Sequence, residues 1–295
     1  MSTSFDSQSI AKFDSHHTPQ WCPGCGDFGI LTSLKMALAE VEKDSVNHED
    51  FFIVSGIGCS GKLPHYVKTY GFESVHGRVL PVVQAAKLAN HKLTIIGVGG
   101  DGDGFGIGMC HFMHVFRRNM DVTYIVHDNQ IYGLTKGQYS PTTEKGTITK
   151  SSPHGALEHP INPVASAIIA HATYVARGFA GDAQHLKKLI VNGIKHKGTS
   201  FIDILQPCVT WNKTNTYEFF RDRVYKLEEE KSYDPANKMA ALKKADEWGK
   251  KIPIGLFFKK DLPTYESQLP QLNDKPLVEQ FYDKRDMKPF LEKFY

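Results

Sequence analysis

Leu93-Thr94-Ile95-Ile96-Gly97-Val98-Gly99-Gly100-Asp101-Gly102-Asp103-Gly104 decides the architecture of this 295-residue chain. Its first half is an almost unbroken apolar run, the signature of a parallel strand buried on both faces, and its second half is a Gly/Asp-rich turn. The pattern recurs. Phe51-Phe52-Ile53-Val54 leads into Gly56-Ile57-Gly58-Cys59, and 122–126 leads into Asp128-Asn129-Gln130-Ile131-Tyr132-Gly133. Phe201-Ile202-Asp203-Ile204-Leu205 leads into Gln206-Pro207-Cys208, with a further strand expected at 173–177. Helical spacing of apolar residues predicts helices at 30–41, 82–88 (with Pro81 as the first helical residue), about 106–117, 163–171 and 183–194. Strands alternating with helices give an α/β fold, a mostly parallel sheet with helices on both faces. Ligands bind such sheets beyond the carboxyl ends of the strands, and Cys59, Asp101, Asn129 and Cys208 all fall there.

Composition narrows the function classes. The 35 Lys+Arg against 32 Asp+Glu give a net charge of +3, too small and too scattered for a nucleic-acid surface. No apolar run of about 18 residues suggests a membrane span. Residues 1–13 are polar without a signal-like apolar stretch, so a cytoplasmic location is expected. Cysteines in that compartment are ligands or catalysts more often than disulfides. Residues 1–20 read as an N-terminal arm, 21–216 as the folded ligand-binding domain, and 217–295 as a helical and extended tail. The tail is charged with helical period over 221–251, irregular beyond 261, and suited to a subunit interface.

Four of the five cysteines stand as a ligand set would: Cys22 and Cys25 in Cys22-Pro23-Gly24-Cys25, then the single Cys59 and Cys208. Iron–sulfur clusters and zinc both accept four thiolates. Zinc ribbons usually offer a second close pair, so two lone strand-end ligands favour a cluster. Cys110 lies inside an expected helix and reads as a packed thiol. The turn also has two readings. Gly97-Val98-Gly99-Gly100-Asp101-Gly102 satisfies a dinucleotide fingerprint, but a pyrophosphate rests there on bare amides, and Asp101 would oppose it. A carboxylate beside diphosphate suits an intervening Mg²⁺, with Asp101, Asn129 and the Ile131 carbonyl as the protein oxygens. Gly-Asp-Gly followed by Asn at this interval is the thiamine-diphosphate signature. Two other readings stay open on the residues alone: a non-redox thiamine-diphosphate decarboxylase or synthase, and a non-catalytic nucleotide-binding subunit.

The chain resembles the β subunit of a two-subunit 2-oxoacid:ferredoxin oxidoreductase, with the 2-oxoglutarate enzymes the nearest group. The matching stretches are Trp21-Cys22-Pro23-Gly24-Cys25-Gly26-Asp27, Gly56-Ile57-Gly58-Cys59-Ser60, His76-Gly77-Arg78, Gly100-Asp101-Gly102-Asp103, 128–138 and Gln206-Pro207-Cys208. The resemblance implies a thiamine-diphosphate-binding fold and one 4Fe–4S cluster on Cys22, Cys25, Cys59 and Cys208. It implies Mg²⁺ on Asp101, Asn129 and Ile131, and thiamine diphosphate against Ile57, Gly58, Cys59, Ser60, His76, Gly102, Asp103, Gly133 and Leu134. Lys136 becomes a candidate for the substrate carboxylate. The implied reaction is coenzyme A-dependent oxidative decarboxylation of a 2-oxoacid, such as 2-oxoglutarate to succinyl-CoA and CO₂. Electrons would pass through the cluster to ferredoxin, reversibly in principle. The carboxylate that activates the cofactor would come from the α subunit, so this chain alone should be inactive and work as a heterodimer.

Overall fold

A computed structural model describes residues 7–44, 46–280 and 287–294. Residues 1–6 of the expected arm, and 281–286 and 295 of the expected tail, lie outside the described residues. Eight strands make one sheet: β1 (Phe51–Ser55), β2 (Tyr70–Glu73), β3 (Thr94–Gly100), β4 (Thr123–Asp128), β5 (Tyr174–Phe179), β6 (Ser200–Leu205), β7 (Val224–Lys226) and β8 (Ile252–Lys259). Their order is β2-β1-β3-β4-β6-β5-β8-β7. Pairing is parallel from β2 through to β5, antiparallel between β5 and β8, and parallel again between β8 and β7. The helices are α1 (Ser7–Ala11), α2 (Asp27–Asp44), α3 (Val79–Ala89), α4 (Met109–Arg118), α5 (Pro163–Ile169), α6 (Ala183–Lys195), α7 (Tyr217–Arg221), α8 (Lys238–Ala245) and α9 (Lys288–Leu291). No helix among the described residues is long and apolar enough to cross a membrane.

Strand alternation divides the core into two layers. Ile96, Val98, Ile125, Ile202 and Ile204 pack against α2 and α6, while Ile95, Tyr124, Val126 and Phe201 meet α3, α4, α5 and α8. β4, β5 and β6 are buried at every position, which is why their sequences read as continuous apolar runs. Phe112 lies edge-on to Phe105, Phe116 and Phe201, filling the second layer. α2 docks closely: a Cβ at Gly29 would lie 2.1 Å from the Ala180 carbonyl oxygen. Local caps agree with the ends of the elements. Asp182 accepts from the His185 amide at the start of α6, and Asn162 caps α5 ahead of Pro163.

Three expectations are corrected. Pro81 is not the first helical residue; α3 begins at Val79 and holds Pro81 within its first turn, where a missing N–H costs nothing. The helix expected from Gly106 is preceded by a π-helical turn, Asp103–Ile107, that kinks at Gly106 before α4 begins. The tail read from residue 217 is not separate from the domain, because β7 and β8 extend the sheet and Ile252, Ile254 and Phe257 are fully buried or nearly so. Within 221–251 the expected helix is confined to α8.

Candidate active site

The carboxyl ends of β1, β2, β3 and β4 bring their loops to one rim of the sheet, where the loop after β6 also ends. They enclose a cavity of about 200 Å³ lined by residues 57–60, His76, 100–103, His127, Asn129 and 131–135. Every residue assigned from sequence to thiamine diphosphate or Mg²⁺ lies in this wall: Ile57, Gly58, Cys59, Ser60, His76, Asp101, Gly102, Asp103, Asn129, Ile131, Gly133 and Leu134. A second cavity of about 210 Å³ lies behind the same turn, against Asp128, Gln130, Thr142, Arg177 and Trp248. It contains none of the cysteines and none of the residues assigned from sequence to the cofactor or metal, so the first cavity is the candidate site.

Asp101 is buried, and burial pushes its carboxyl up to about 6 although Ser140, Thr142 and nearby amides stabilise the charge. No cationic side chain is among the principal influences on it, a condition that a divalent ion would relieve. Thr142 Oγ1 lies 2.7 Å from Asp101 Oδ2 and 2.8 Å from Asp128 Oδ1. One hydroxyl proton cannot serve both carboxyls. Burial, with Asp203 and Asp101 nearby, holds the Asp128 pKa well above the usual carboxylate range, so Asp128 keeps the second proton. Asn129 Oδ1 accepts from the Ile131 amide at 3.1 Å, which shapes the loop after β4. The Tyr132 hydroxyl donates to the Gly102 carbonyl at 3.0 Å, and its ring leaves no room for a Cβ at position 102.

Asp103 acts through the backbone. Its Oδ1 accepts from the amides of Ile57 at 3.0 Å and Gly77 at 2.8 Å and lies 3.0 Å from His76 Nδ1. One carboxylate thus ties the loops after β1 and β2 to the turn after β3. Its Oδ2 is buried without a partner, as is Ser60 Oγ in the same wall. Both belong to residues of the cavity wall, and buried polar atoms left unpaired are costly unless something satisfies them.

The thiols gather behind Gly133. A Cβ on this residue would stand 3.6 Å from Cys59 Sγ and 3.7 Å from Cys208 Sγ, so both sulfurs flank one point of the cavity wall. Cys25 and Cys208 are buried, Cys59 is partly buried, and Cys22 is exposed. Burial pushes the Cys59 thiol up to about 12, with the Asp27 carboxylate and Cys208 adding to it. Burial and Asp27 also push Cys25 far up. Thiols so placed ionise only when a cation holds them, and this donor set is soft. Among the described residues, no three His, Cys, Asp or Glu converge tightly enough for a single metal ion. Four thiolates are a donor set that an iron–sulfur cluster accepts and that zinc accepts as well.

Other residues here went unassigned from sequence. His127 lines the cavity, with Nδ1 2.6 Å from Asp27 Oδ1 and Nε2 unpartnered; Asp27 Oδ2 lies 3.3 Å from Cys25 Sγ. Thr142 and Tyr132 support the turn from a distance. A polar residue closing the apolar run 122–126 was the available signal for His127. Lys136 is exposed at φ 78° in the turn beyond Thr135 and does not line the cavity.

Known proteins match this arrangement. The thiamine pyrophosphate enzyme family, in its C-terminal TPP-binding domain, matches residues 56–204. The family defined by the C-terminal part of the pyruvate ferredoxin oxidoreductase β chain matches residues 208–274. Subunit beta of 2-oxoacid:ferredoxin oxidoreductase 1 from Aeropyrum pernix is 44% identical over 97% of this chain and 93% of its own length. Subunit KorB of a Mycobacterium tuberculosis 2-oxoglutarate oxidoreductase is 43% identical over 70% of this chain and 54% of its own. A solved 2-oxoglutarate:ferredoxin oxidoreductase from Magnetococcus marinus, with 2-oxoglutarate, coenzyme A and succinyl-CoA bound, superposes with a TM-score of 0.89 at 35% identity. That match covers 99% of this chain and 98% of the solved one. The sheet with its cofactor-type cavity, the gathered cysteines and these relatives agree, and the chain belongs to the β-subunit family of the 2-oxoacid:ferredoxin oxidoreductases.

Proposed function

We propose that this β subunit acts on 2-oxoglutarate and carries both Mg²⁺–thiamine diphosphate and one 4Fe–4S cluster in an enzyme completed by an α subunit. The observation that carries this reading is Gly133: one face lines the cofactor cavity, and its missing side chain leaves room beside the sulfurs of Cys59 and Cys208. A soft-donor centre and a hard-oxygen site share that wall. Electrons would therefore have only a short distance to cross.

Cys22, Cys25, Cys59 and Cys208 would hold the cluster, and Asp101, Asn129 and the Ile131 carbonyl would hold Mg²⁺ on the diphosphate. When bound, thiamine diphosphate stabilises negative charge at the substrate's keto carbon, and the cluster accepts single electrons. The chain's own part is placement. Asp103 holds the 57–60 and 76–77 loops in register with the turn, so Ser60 and His76 stand in the wall that would hold the cofactor. Tyr132 braces Gly102 from below, and the apolar side chains of Ile57, Ile131 and Leu134 limit water in the cavity. Lys136, exposed one residue beyond the wall residue Thr135, would meet the distal carboxylate of a dicarboxylic 2-oxoacid. The activating carboxylate would come from the α subunit, coenzyme A would capture the acyl group, and ferredoxin would be the acceptor in a cytoplasmic enzyme. Exposed Leu277, Val278, Met287 and Leu291 beyond β8 would pack on that subunit.

Anaerobic co-purification with the α subunit tests the reading. About four irons and four sulfides per β chain are expected, and Cys59→Ala or Cys208→Ala should abolish them while the circular dichroism of the sheet persists. Full iron in either variant would remove that cysteine from the ligand set.

A further inference from the structure

We propose that the Gln206 side-chain amide is a positioning residue that hydrogen-bonds the Cys25 sulfur and thereby raises the reduction potential of the centre these cysteines hold. The inference rests on the cluster reading above and adds to it the group that tunes the cluster.

Gln206 is buried, with 1% of its surface exposed. Its Nε2 lies 3.3 Å from Cys25 Sγ and 3.1 Å from the Pro207 carbonyl oxygen, while its Oε1 has no partner. The orientation of this amide follows from its neighbours. Both are acceptors once Cys25 is a thiolate, so turning the amide over would set oxygen against oxygen and sulfur. The backbone holds the side chain in place. The Gln206 amide donates to the Asp128 carbonyl, and the Gly26 amide donates to the Pro207 carbonyl at 3.1 Å. A Cβ at Gly26 would lie 2.8 Å from Gln206 Cγ, so only glycine leaves the amide its seat. The end of β6 thus delivers one ligand, Cys208, and the donor to another, Cys25.

The location gives this bond its weight. Cys25 is buried, so water does not mask a single N–H there as it would at exposed Cys22. Its other polar neighbours come from Asp27: a backbone N–H, which is a second donor, and a carboxylate oxygen at 3.3 Å, which donates nothing to a thiolate when ionised; Gln206 is thus the side-chain donor. An N–H pointed at a ligating sulfur withdraws charge from it. That favours the electron-richer reduced cluster and raises the potential.

Gln206→Leu and Gln206→Met, made in the αβ enzyme and prepared anaerobically beside the parent, remove the donor at similar volume. Mediated redox titration followed by electron paramagnetic resonance should show a more negative potential in both, with iron and sulfide contents unchanged. The constant for one-electron reduction should fall roughly three- to tenfold, the upper value corresponding to 59 mV. Loaded variants with the parent's potential would overturn the inference. Should neither variant load a cluster, the parent grown on glutamine carrying ¹⁵N in its side-chain amide decides. Pulsed resonance of its reduced cluster should show ¹⁵N coupling, and its absence would overturn the inference. A parent without any iron–sulfur signal would overturn the cluster reading and this inference with it, whereas a loaded parent and unshifted variants overturn this inference alone.

Discussion

Replacing Asp103 with alanine separates two roles that its position allows: contact with a ligand, and support of the loops that form the cavity. Its Oδ1 accepts from the Ile57 and Gly77 amides and lies against His76 Nδ1, so alanine strips two backbone N–H groups of their acceptor. An unpaired buried donor costs about 1–3 kcal/mol. The Gly77 bond is fully buried and the Ile57 bond partly so, which places the second near the lower bound. Some is recovered because burial disfavours the Asp103 carboxylate, whose Oδ2 has no partner. The net loss should be about 2–4 kcal/mol. At about 2–4 °C per kcal/mol for chains of this size, the thermal midpoint should fall roughly 4–16 °C. Asp103→Asn keeps a carbonyl oxygen for both amides and removes the charge, so it should lose less than about 1.5 kcal/mol. Differential scanning of parent and both variants, without added cofactor, is the assay. An alanine variant as stable as the parent would refute the loop-tying role, and equal losses in both variants would show that charge matters and not the acceptor.

Asp101→Ala should abolish Mg²⁺-dependent thiamine-diphosphate binding in calorimetry while the iron content holds, because it removes the one side-chain carboxylate of the proposed metal site; unchanged affinity would revive the dinucleotide reading. Lys136→Ala, assayed with the α subunit, should raise KM for 2-oxoglutarate about tenfold while cofactor affinity holds, and parental kinetics would return Lys136 to the bare surface. For pH, His196 is informative: burial, assisted by Lys259 against an opposing Asp261, holds its imidazole below the ordinary value near 6.5. Its Nε2 lies 2.9 Å from Thr173 Oγ1, whose proton goes to Asn119 Oδ1, so the neutral ring donates through Nε2. A depressed folded-state pKa gives stability that is complete above the unfolded value and lost as pH falls through the folded one. The thermal midpoint should therefore fall more steeply below about pH 6 in the parent than in His196→Gln; parallel curves would refute this.

Sequence legibility followed burial. β3, β4 and β6 are covered on both faces, so their apolar runs were visible, and the Gly/Asp and Asn turns followed directly. β2 is exposed at all its positions, and an edge strand without a dry face leaves no alternation to read. β8 is buried, yet Pro253 and Gly255 interrupt it. Gly255 adopts φ +117° opposite Arg177, and the register with β5 slips at Phe257, a bulge that exists only once the two strands meet. The same distinction governs the site. Cys59, Asp101, Asn129 and Cys208 could be placed together because each directly follows a strand whose parallel neighbours end at the same rim. Gln206 stands just as close to a strand end, but its amide reaches Cys25, a residue from the start of α2. No strand pattern carries that meeting. It depends on α2 pressing against the end of β5 at Gly29 and on Gly26 leaving space for a side chain. Side chains aimed by strand ends could be placed from sequence, while those that meet across a helix–sheet contact required the packing itself.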